Sequence, residues 1–110
     1  AMKAAGEASI VLYSTVAVQT GFTFHSLVSA SKGAIEGLTK ALSAEFAPSI
    51  RVNCIAPSIT QTKLAAGLLN TEEKIIANAQ RHPLKKIGQP KDIAAATCFL
   101  LSDAASWYGM

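Results

Sequence analysis

Three consecutive segments decide the fold: ASIVLYS at 8–14, HSLVSASKGAIEGLTKALSAEF at 25–46 and IRVNCIA at 50–56. The first and third segments are short, apolar and rich in β-branched residues without alternation, which is typical of strands buried on both faces of a parallel sheet. The middle segment repeats apolar residues every three or four positions, which predicts a long helix. Together they predict a βαβ unit with a right-handed crossover, in which the first strand is central in its sheet.

The segments after Pro57 are predicted to be mainly helical. Thr71 is followed by two glutamates, a pattern that predicts an N-cap and a first helical turn, because carboxylates there favour the helix dipole. We expect the region Lys63 to Arg81 to form a flap. Residues 92–102, DIAAATCFLLS, have the apolar density of a helix packed on a sheet. The fold class is therefore α/β.

Composition excludes several classes of function. The chain has 110 residues, of which 50% are hydrophobic and 15% charged, so it forms a core and fits one domain at most. Its net charge of +3 comes from scattered lysines and arginines, which does not favour a nucleic-acid partner. No apolar stretch reaches about 18 residues and the N-terminus lacks a signal-peptide pattern, so we predict no membrane segment and a cytoplasmic location.

The metal-binding and disulfide classes are also disfavoured. Cys54 and Cys98 each lie in an apolar run, which predicts buried, reduced thiols. His82, in RHPLKK, has no second histidine, cysteine or carboxylate at metal-ligand spacing, so it is interpreted as a loop residue and no metal is predicted.

The number of strands suggests a partial domain. A doubly wound fold needs several parallel strands, whereas the sequence contains two clear ones and no glycine-rich turn that would cradle a phosphate. The first residues, AMKAAG, are typical of the end of a helix. We therefore expect residues 1–110 to be the C-terminal part of a Rossmann-like doubly wound parallel sheet, with the N-terminal dinucleotide-binding half absent.

Four motifs in order resemble the short-chain dehydrogenase/reductase family. They are Ser14-Thr15 at a strand end, VSASK at 28–32, RVNCIAPSITQT at 51–62, and GQPKDIA at 88–94 followed by FLLSDAAS at 99–106. The resemblance covers nearly the whole chain. It implies hydride transfer between NAD or NADP and a small-molecule hydroxyl or carbonyl substrate, and a homodimer or homotetramer paired through the long helix.

The resemblance also implies roles for particular residues. Lys32 matches the lysine that holds the nicotinamide ribose and lowers the pKa of a tyrosine, and Thr15 matches the strand-end hydroxyl that binds the substrate oxygen. The implied cofactor-binding residues are Lys32 and four positions after the second strand, Pro57, Ser58, Thr60 and Thr62. For the two threonines, an ordinary role in turn formation is an equal alternative.

Two positions depart from the family pattern. Val28 occupies the place of the acid/base tyrosine, and loss of such a group costs on the order of 10²–10⁴ in rate. Ser58 replaces a glycine, where a Cβ restricts the backbone. His25, three residues before Val28, is an alternative proton donor, whereas Ser29 and Tyr13 face away from position 28.

Three functions remain as hypotheses. The first is an NAD(P)-dependent oxidoreductase of the short-chain type. The second is a catalytically impaired member of the same fold that acts as a nucleotide-binding or oligomeric partner subunit, which Val28 and Ser58 favour. The third, a freestanding α/β interaction module, is disfavoured by the missing strands.

Overall fold

A parallel two-stranded sheet organises the part of the chain that the computed structural model describes, residues 7–109. Strand β1 (Ala8–Tyr13) pairs with β2 (Ile50–Ile55), in a register that joins Ala8 to Ile50 and Tyr13 to Ile55. The long helix α2 (Ser26–Phe46) connects the strands and packs mainly against β2. The predicted strand–helix–strand unit is confirmed, with the helix starting one residue later than expected.

Strand β1 is less buried than its composition suggested. Its residues are half-buried, except Tyr13, which is 42% exposed. Within residues 7–109 the strand pairs only with β2, so its other edge is open. The expected burial on both faces is therefore wrong for the described residues. An apolar, β-branched run predicts a buried strand, but it does not specify which segments cover that strand.

A short helix lies between β1 and α2, where the sequence has no apolar periodicity. Helix α1 (Ala17–Thr20) follows β1 directly and packs on α2, and Gly21 ends it with a φ of 74°. Four residues carry too little periodicity to be recognised as a helix in a sequence. Helix α1 places the residues after the strand end against the start of α2.

The chain after β2 contains two further helices. A 3₁₀ turn (Ala66–Leu68) precedes α3 (Glu72–Gln80), and the Thr71 hydroxyl accepts a hydrogen bond from the Lys74 amide at 3.1 Å, as the predicted N-cap requires. Helix α4 (Pro90–Leu101) starts two residues earlier than predicted. The Gln89 amide donates to the Asp92 carboxylate at 2.8 Å, so Asp92 lies inside the first turn instead of beginning it.

Residues up to the end of β2 and residues after it both contribute to the small core. Its apolar members with little exposure are Ala17, Ile50, Val52, Leu69, Ile87 and Ala105. Arg51 joins β2 to the end of α4, because its guanidinium donates to the carbonyls of Leu100 and Ala105 at 2.9 Å and of Ser102 at 3.1 Å. A 3₁₀ turn (Asp103–Ala105) follows α4.

Both cysteines are free, as predicted, but neither is fully buried. Cys54 is half-buried, whereas Cys98 is exposed. On α4 the preceding residue, Thr97, faces the sheet, because its hydroxyl lies 2.8 Å from the Tyr13 hydroxyl. Consecutive residues of an α-helix are rotated by about 100°, so Cys98 points away from the sheet. The prediction of a buried Cys98 is therefore wrong.

Three further expectations concern the first residues, a membrane segment and a metal site. The predicted helix end at residues 1–6 lies outside them. Between residues 7 and 109, no helix is long and apolar enough to cross a membrane. Over the same range, no cluster of three or more histidines, cysteines and carboxylates could hold a metal ion.

Candidate active site

The carboxyl end of β1 carries two hydroxyl side chains with different surroundings. Ser14 is 5% exposed, and its hydroxyl donates to the Glu36 carboxylate and lies 3.4 Å from the Lys32 carbonyl oxygen, so it ties the strand end to α2. Thr15 is half-buried, and its hydroxyl oxygen accepts a hydrogen bond from the Ala17 amide at 3.4 Å. Because that bond uses the oxygen, the Thr15 hydroxyl keeps its proton for another acceptor.

Lys32 reaches the same strand end from α2. Its Nζ donates to the Tyr13 carbonyl oxygen at 3.1 Å, which fixes the ammonium group at the last residue of β1. An ammonium group has three N–H donors, and no other acceptor among residues 7–109 binds the remaining two. The structure therefore brings Lys32 to the strand end that carries Thr15.

Val28 lies one turn before Lys32 on α2. Its side chain is 46% exposed and carries no group that can bind or release a proton. The neighbouring Ser29 hydroxyl donates to the Ala17 carbonyl at 3.2 Å, and a Cβ built at Gly33 would contact Val18 at 3.8 Å. The small residues of this helix face therefore allow α1 and α2 to approach closely.

The segment leaving β2 lies beside the end of β1. The Val16 amide donates to the Pro57 carbonyl at 3.3 Å, which places Ser58 next to the Thr15 region. Farther along, the Thr60 hydroxyl donates to the Ser58 carbonyl at 3.0 Å, and the Thr62 hydroxyl accepts from the Ala65 amide at 3.3 Å. Both threonine hydroxyls thus satisfy local backbone groups.

A cavity of about 530 Å³ opens at these carboxyl ends. Thr15, Phe22, His25 and Ser58 line it, and the predicted flap adds a wall that includes Leu68. Pro57, Thr60, Thr62, Val28 and Lys32 are not among its lining residues. In parallel α/β sheets, ligands bind outside the carboxyl ends of the strands, so this cavity is a better candidate than the smaller one of about 330 Å³ beside Ser9 and Arg51, at the amino ends.

His82, in the loop after α3, completes the cavity wall. Its Nε2 lies 2.8 Å from the Ser58 hydroxyl, and its Nδ1 lies 2.9 Å from the Asn78 carbonyl oxygen. His25, at the start of α2, also lines the cavity, with Nδ1 2.8 Å from the Thr23 carbonyl oxygen. His82 lies in the loop after α3, as predicted, but its contact with Ser58 was not expected. No sequence spacing could have paired the two residues, because the contact depends on how the loop after α3 packs against the segment after β2.

The arrangement matches known proteins over almost its whole length. A family model described as enoyl-(acyl carrier protein) reductase matches residues 1–109. The chain belongs to the short-chain dehydrogenase/reductase family. A tropinone reductase homolog from Arabidopsis thaliana is 37% identical over 107 residues, which is 96% of this chain and 40% of that protein. The human dehydrogenase/reductase SDR family member 4 is 36% identical over 107 residues, again 96% of this chain but 38% of that protein.

Solved structures of short-chain dehydrogenases/reductases share the fold. A putative NAD(P)-dependent gluconate 5-dehydrogenase from Beutenbergia cavernae, with NADP bound at low occupancy, superposes with a TM-score of 0.89 at 34% identity and covers 98% of this chain and 44% of that one. A gluconate 5-dehydrogenase from Burkholderia cenocepacia, in complex with NADP and tartrate, gives the same TM-score at 28% identity, over 98% of this chain and 43% of the other. The chain thus spans about two fifths of the length of these relatives, and the predicted partial Rossmann-like domain is confirmed as the fold.

Proposed function

We propose that the polypeptide containing this chain is an NAD(P)-dependent oxidoreductase that transfers a hydride between a nicotinamide and a small hydroxyl or carbonyl substrate. The observation that carries this proposal is the cluster at the end of β1. There the Lys32 ammonium lies 3.1 Å from the Tyr13 carbonyl oxygen, and Thr15 lines a cavity at the carboxyl ends of the strands. Family membership supports the same class of reaction.

The residues present fit a nicotinamide riboside. Two N–H donors of Lys32 have no acceptor among residues 7–109, and a ribose offers vicinal hydroxyl oxygens that match them. When bound, NAD or NADP supplies or accepts the hydride. Lys32 would hold the ribose, and Thr15 would donate its hydroxyl proton to the substrate oxygen. Pro57, Ser58, Thr60 and Thr62 remain predicted cofactor neighbours, with the two threonines acting through the backbone turn that their hydroxyls stabilise.

The cavity supports a small substrate with one polar centre. Its volume of about 530 Å³ is within the range of small-molecule sites, and apolar walls at Phe22 and Leu68 surround the hydroxyls of Thr15 and Ser58. The names of the relatives, tropinone reductase homolog and gluconate 5-dehydrogenase, both denote small-molecule carbonyl or hydroxyl chemistry. We infer a substrate of this class.

Calorimetry with NADH and NADPH on the full natural polypeptide tests the proposal. We expect Lys32→Met to weaken dinucleotide binding at least tenfold, because it removes the ammonium that lies at the end of β1 among residues 7–109. Lys40→Met is the matched control, since Lys40 is an exposed lysine on the same helix, and it should change the affinity less than twofold. Absence of dinucleotide binding by the wild type would contradict the proposal.

A second candidate is a partner subunit that binds nucleotide without turnover. The observation that favours it is Val28, which offers no proton one turn before Lys32. A panel of ketones and alcohols with both cofactors distinguishes the candidates. Turnover supports the oxidoreductase, and binding without turnover supports the partner subunit.

We also propose that the polypeptide forms a homodimer or homotetramer through α2. Within the described residues, this helix exposes Leu27 and Leu38, which are 79% and 45% accessible to solvent. Burying such side chains against a second copy would be favourable. Analytical ultracentrifugation of the wild type and Leu38→Glu tests this, and a wild type that remains monomeric would contradict it.

A further inference from the structure

The proposed reaction needs a proton source that position 28 does not provide. Reduction of a carbonyl leaves negative charge on its oxygen, and a general acid must neutralise it. Among the residues that line the cavity, two histidines can exchange a proton, His25 and His82. They differ in how each is connected to the strand ends.

The hydrogen bonds of His82 fix its tautomer. A carbonyl oxygen can only accept, so the bond to the Asn78 carbonyl at 2.9 Å requires a proton on Nδ1. In the neutral ring Nε2 therefore carries none and accepts the Ser58 hydroxyl proton at 2.8 Å, whereas in the imidazolium Nε2–H donates to Ser58 Oγ. The pair can thus pass a proton in either direction without moving a side chain.

Ser58 also lies beside the proposed substrate site. The hydrogen bond between the Val16 amide and the Pro57 carbonyl places Ser58 beside the end of β1, and both Ser58 and Thr15 line the cavity. Asn78, whose carbonyl oxygen orients His82, is itself held by its side chain. Its Nδ2 donates to the Leu68 and Lys74 carbonyls at 3.2 and 2.9 Å. A hydroxyl held by an oriented imidazole is thus part of the wall of the proposed substrate site.

We propose that Ser58 and His82 form the proton relay of this site and replace the tyrosine that the family pattern has at position 28. The inference rests on the proposed function, with a reduced nicotinamide as the hydride donor. As the substrate carbon gains hydride, Ser58 Oγ–H gives its proton to the substrate oxygen and takes the Nε2 proton of His82. One proton leaves the imidazolium, one alcohol forms, and solvent reprotonates Nε2. Alcohol oxidation runs the same steps in reverse.

His25 lacks the corresponding connection. Its Nδ1 lies 2.8 Å from the Thr23 carbonyl oxygen, and its ring centroid lies 5.8 Å from that of Phe22. Within residues 7–109 no hydrogen bond joins it to Thr15 or Ser58. His25 is therefore the natural comparison for a test, as a histidine in the same cavity with the same type of Nδ1 bond but no hydroxyl on Nε2.

Steady-state kinetics of variants of the full polypeptide test the relay. His82→Gln keeps a hydrogen-bonding group but cannot transfer a proton, and His82→Ala removes the ring. We expect both to lower kcat by about 10²-fold or more, with dinucleotide affinity by calorimetry changed less than about threefold. Added imidazole should restore much of kcat to His82→Ala. Ser58→Ala should lower kcat similarly, and the double variant should be no slower than either single one, because the two residues act as a unit.

Two results would overturn the relay. The first is a kcat within about threefold of wild type for His82→Gln and Ser58→Ala. The second is rescue by imidazole of His25→Ala but not of His82→Ala. Both presuppose a wild type that binds dinucleotide and turns over, whereas a wild type that binds dinucleotide yet reduces nothing in the panel contradicts the proposed function itself.

The tautomer provides a readout that does not depend on turnover. Long-range ¹H–¹⁵N correlation spectra of the neutral form should show His82 protonated at Nδ1 and not at Nε2. Ser58→Ala should shift the Nε2 resonance of His82 and leave that of His25 in place. Protonation of the neutral ring at Nε2 would contradict the geometry on which the relay depends.

Discussion

The chain from residue 8 to residue 56 differs in construction from the chain between residues 58 and 89. The first region is a continuous strand–helix–strand unit with a complete ladder between β1 and β2. The second holds only an isolated bridge between Thr60 and Gly88, a 3₁₀ turn, and a nine-residue helix without a buried side chain. Yet the second region supplies His82 and much of the cavity wall. The first region positions Thr15 and Lys32, and the second supplies Ser58 and His82 and encloses the cavity.

The largest difference between the two regions should appear in stability. Val52 in β2 is 2% exposed, so Val52→Ala should lower the free energy of unfolding by about 2–3 kcal/mol through lost burial and a residual cavity. Ile76 on α3 is 54% exposed, and Ile76→Ala should cost less than about 1 kcal/mol although it removes more atoms. Urea denaturation of the full polypeptide measures both. Equal losses would show that the second region is as tightly packed as the first.

A somewhat smaller loss of stability should follow from changing Arg51, which attaches α4 to the strand–helix–strand unit. Its planar guanidinium donates to several carbonyl oxygens at once, including those of Leu100, Ser102 and Ala105. Arg51→Lys keeps the charge but not the fork, so we expect a loss of about 2 kcal/mol. The same denaturation experiment checks it, with Arg81→Lys as the control at an exposed arginine. A stability equal to wild type would mean that charge alone holds α4.

How much the sequence could predict differs between the same two regions. Apolar runs are sufficient to predict β1 and β2, and apolar periodicity is sufficient to predict α2. The resemblance that VSASK carries directs attention to Lys32, whose ammonium the structure places at the end of β1. The Ser58–His82 contact was not predictable, because 24 positions separate the residues and neither belongs to a motif that names the other. Burial was also overestimated, at β1 and at Cys98. The apolar character of a segment predicts that its side chains are buried, but it does not identify the segment that buries them.

Val28→Tyr tests the proposed division of labour at the site. If Ser58 and His82 deliver the proton, a phenol at position 28 adds a second proton donor to a site that already has one. We therefore expect kcat to change less than about tenfold, equivalent to about 1.4 kcal/mol of barrier. A rise of about 10²–10⁴ would instead indicate that the wild type lacks a proton donor, as the impaired-subunit hypothesis requires. Dinucleotide affinity serves as the control for correct folding of the variant.

The smallest expected effect concerns how firmly the flap is held. The Thr71 hydroxyl accepts from the Lys74 amide at 3.1 Å, and Thr71→Ala should destabilise α3 by about 1 kcal/mol. Because α3 has no buried side chain, that loss should appear as local opening, with faster amide hydrogen exchange in residues 72–80 and unchanged exchange in β2. Thr71→Ser keeps the cap and should exchange like the wild type. Since Asn78 orients His82 from this helix, Thr71→Ala should also lower kcat severalfold without altering dinucleotide affinity. If exchange accelerates in α3 while kcat is unchanged, the histidine is held in place by Ser58 and not by the helix.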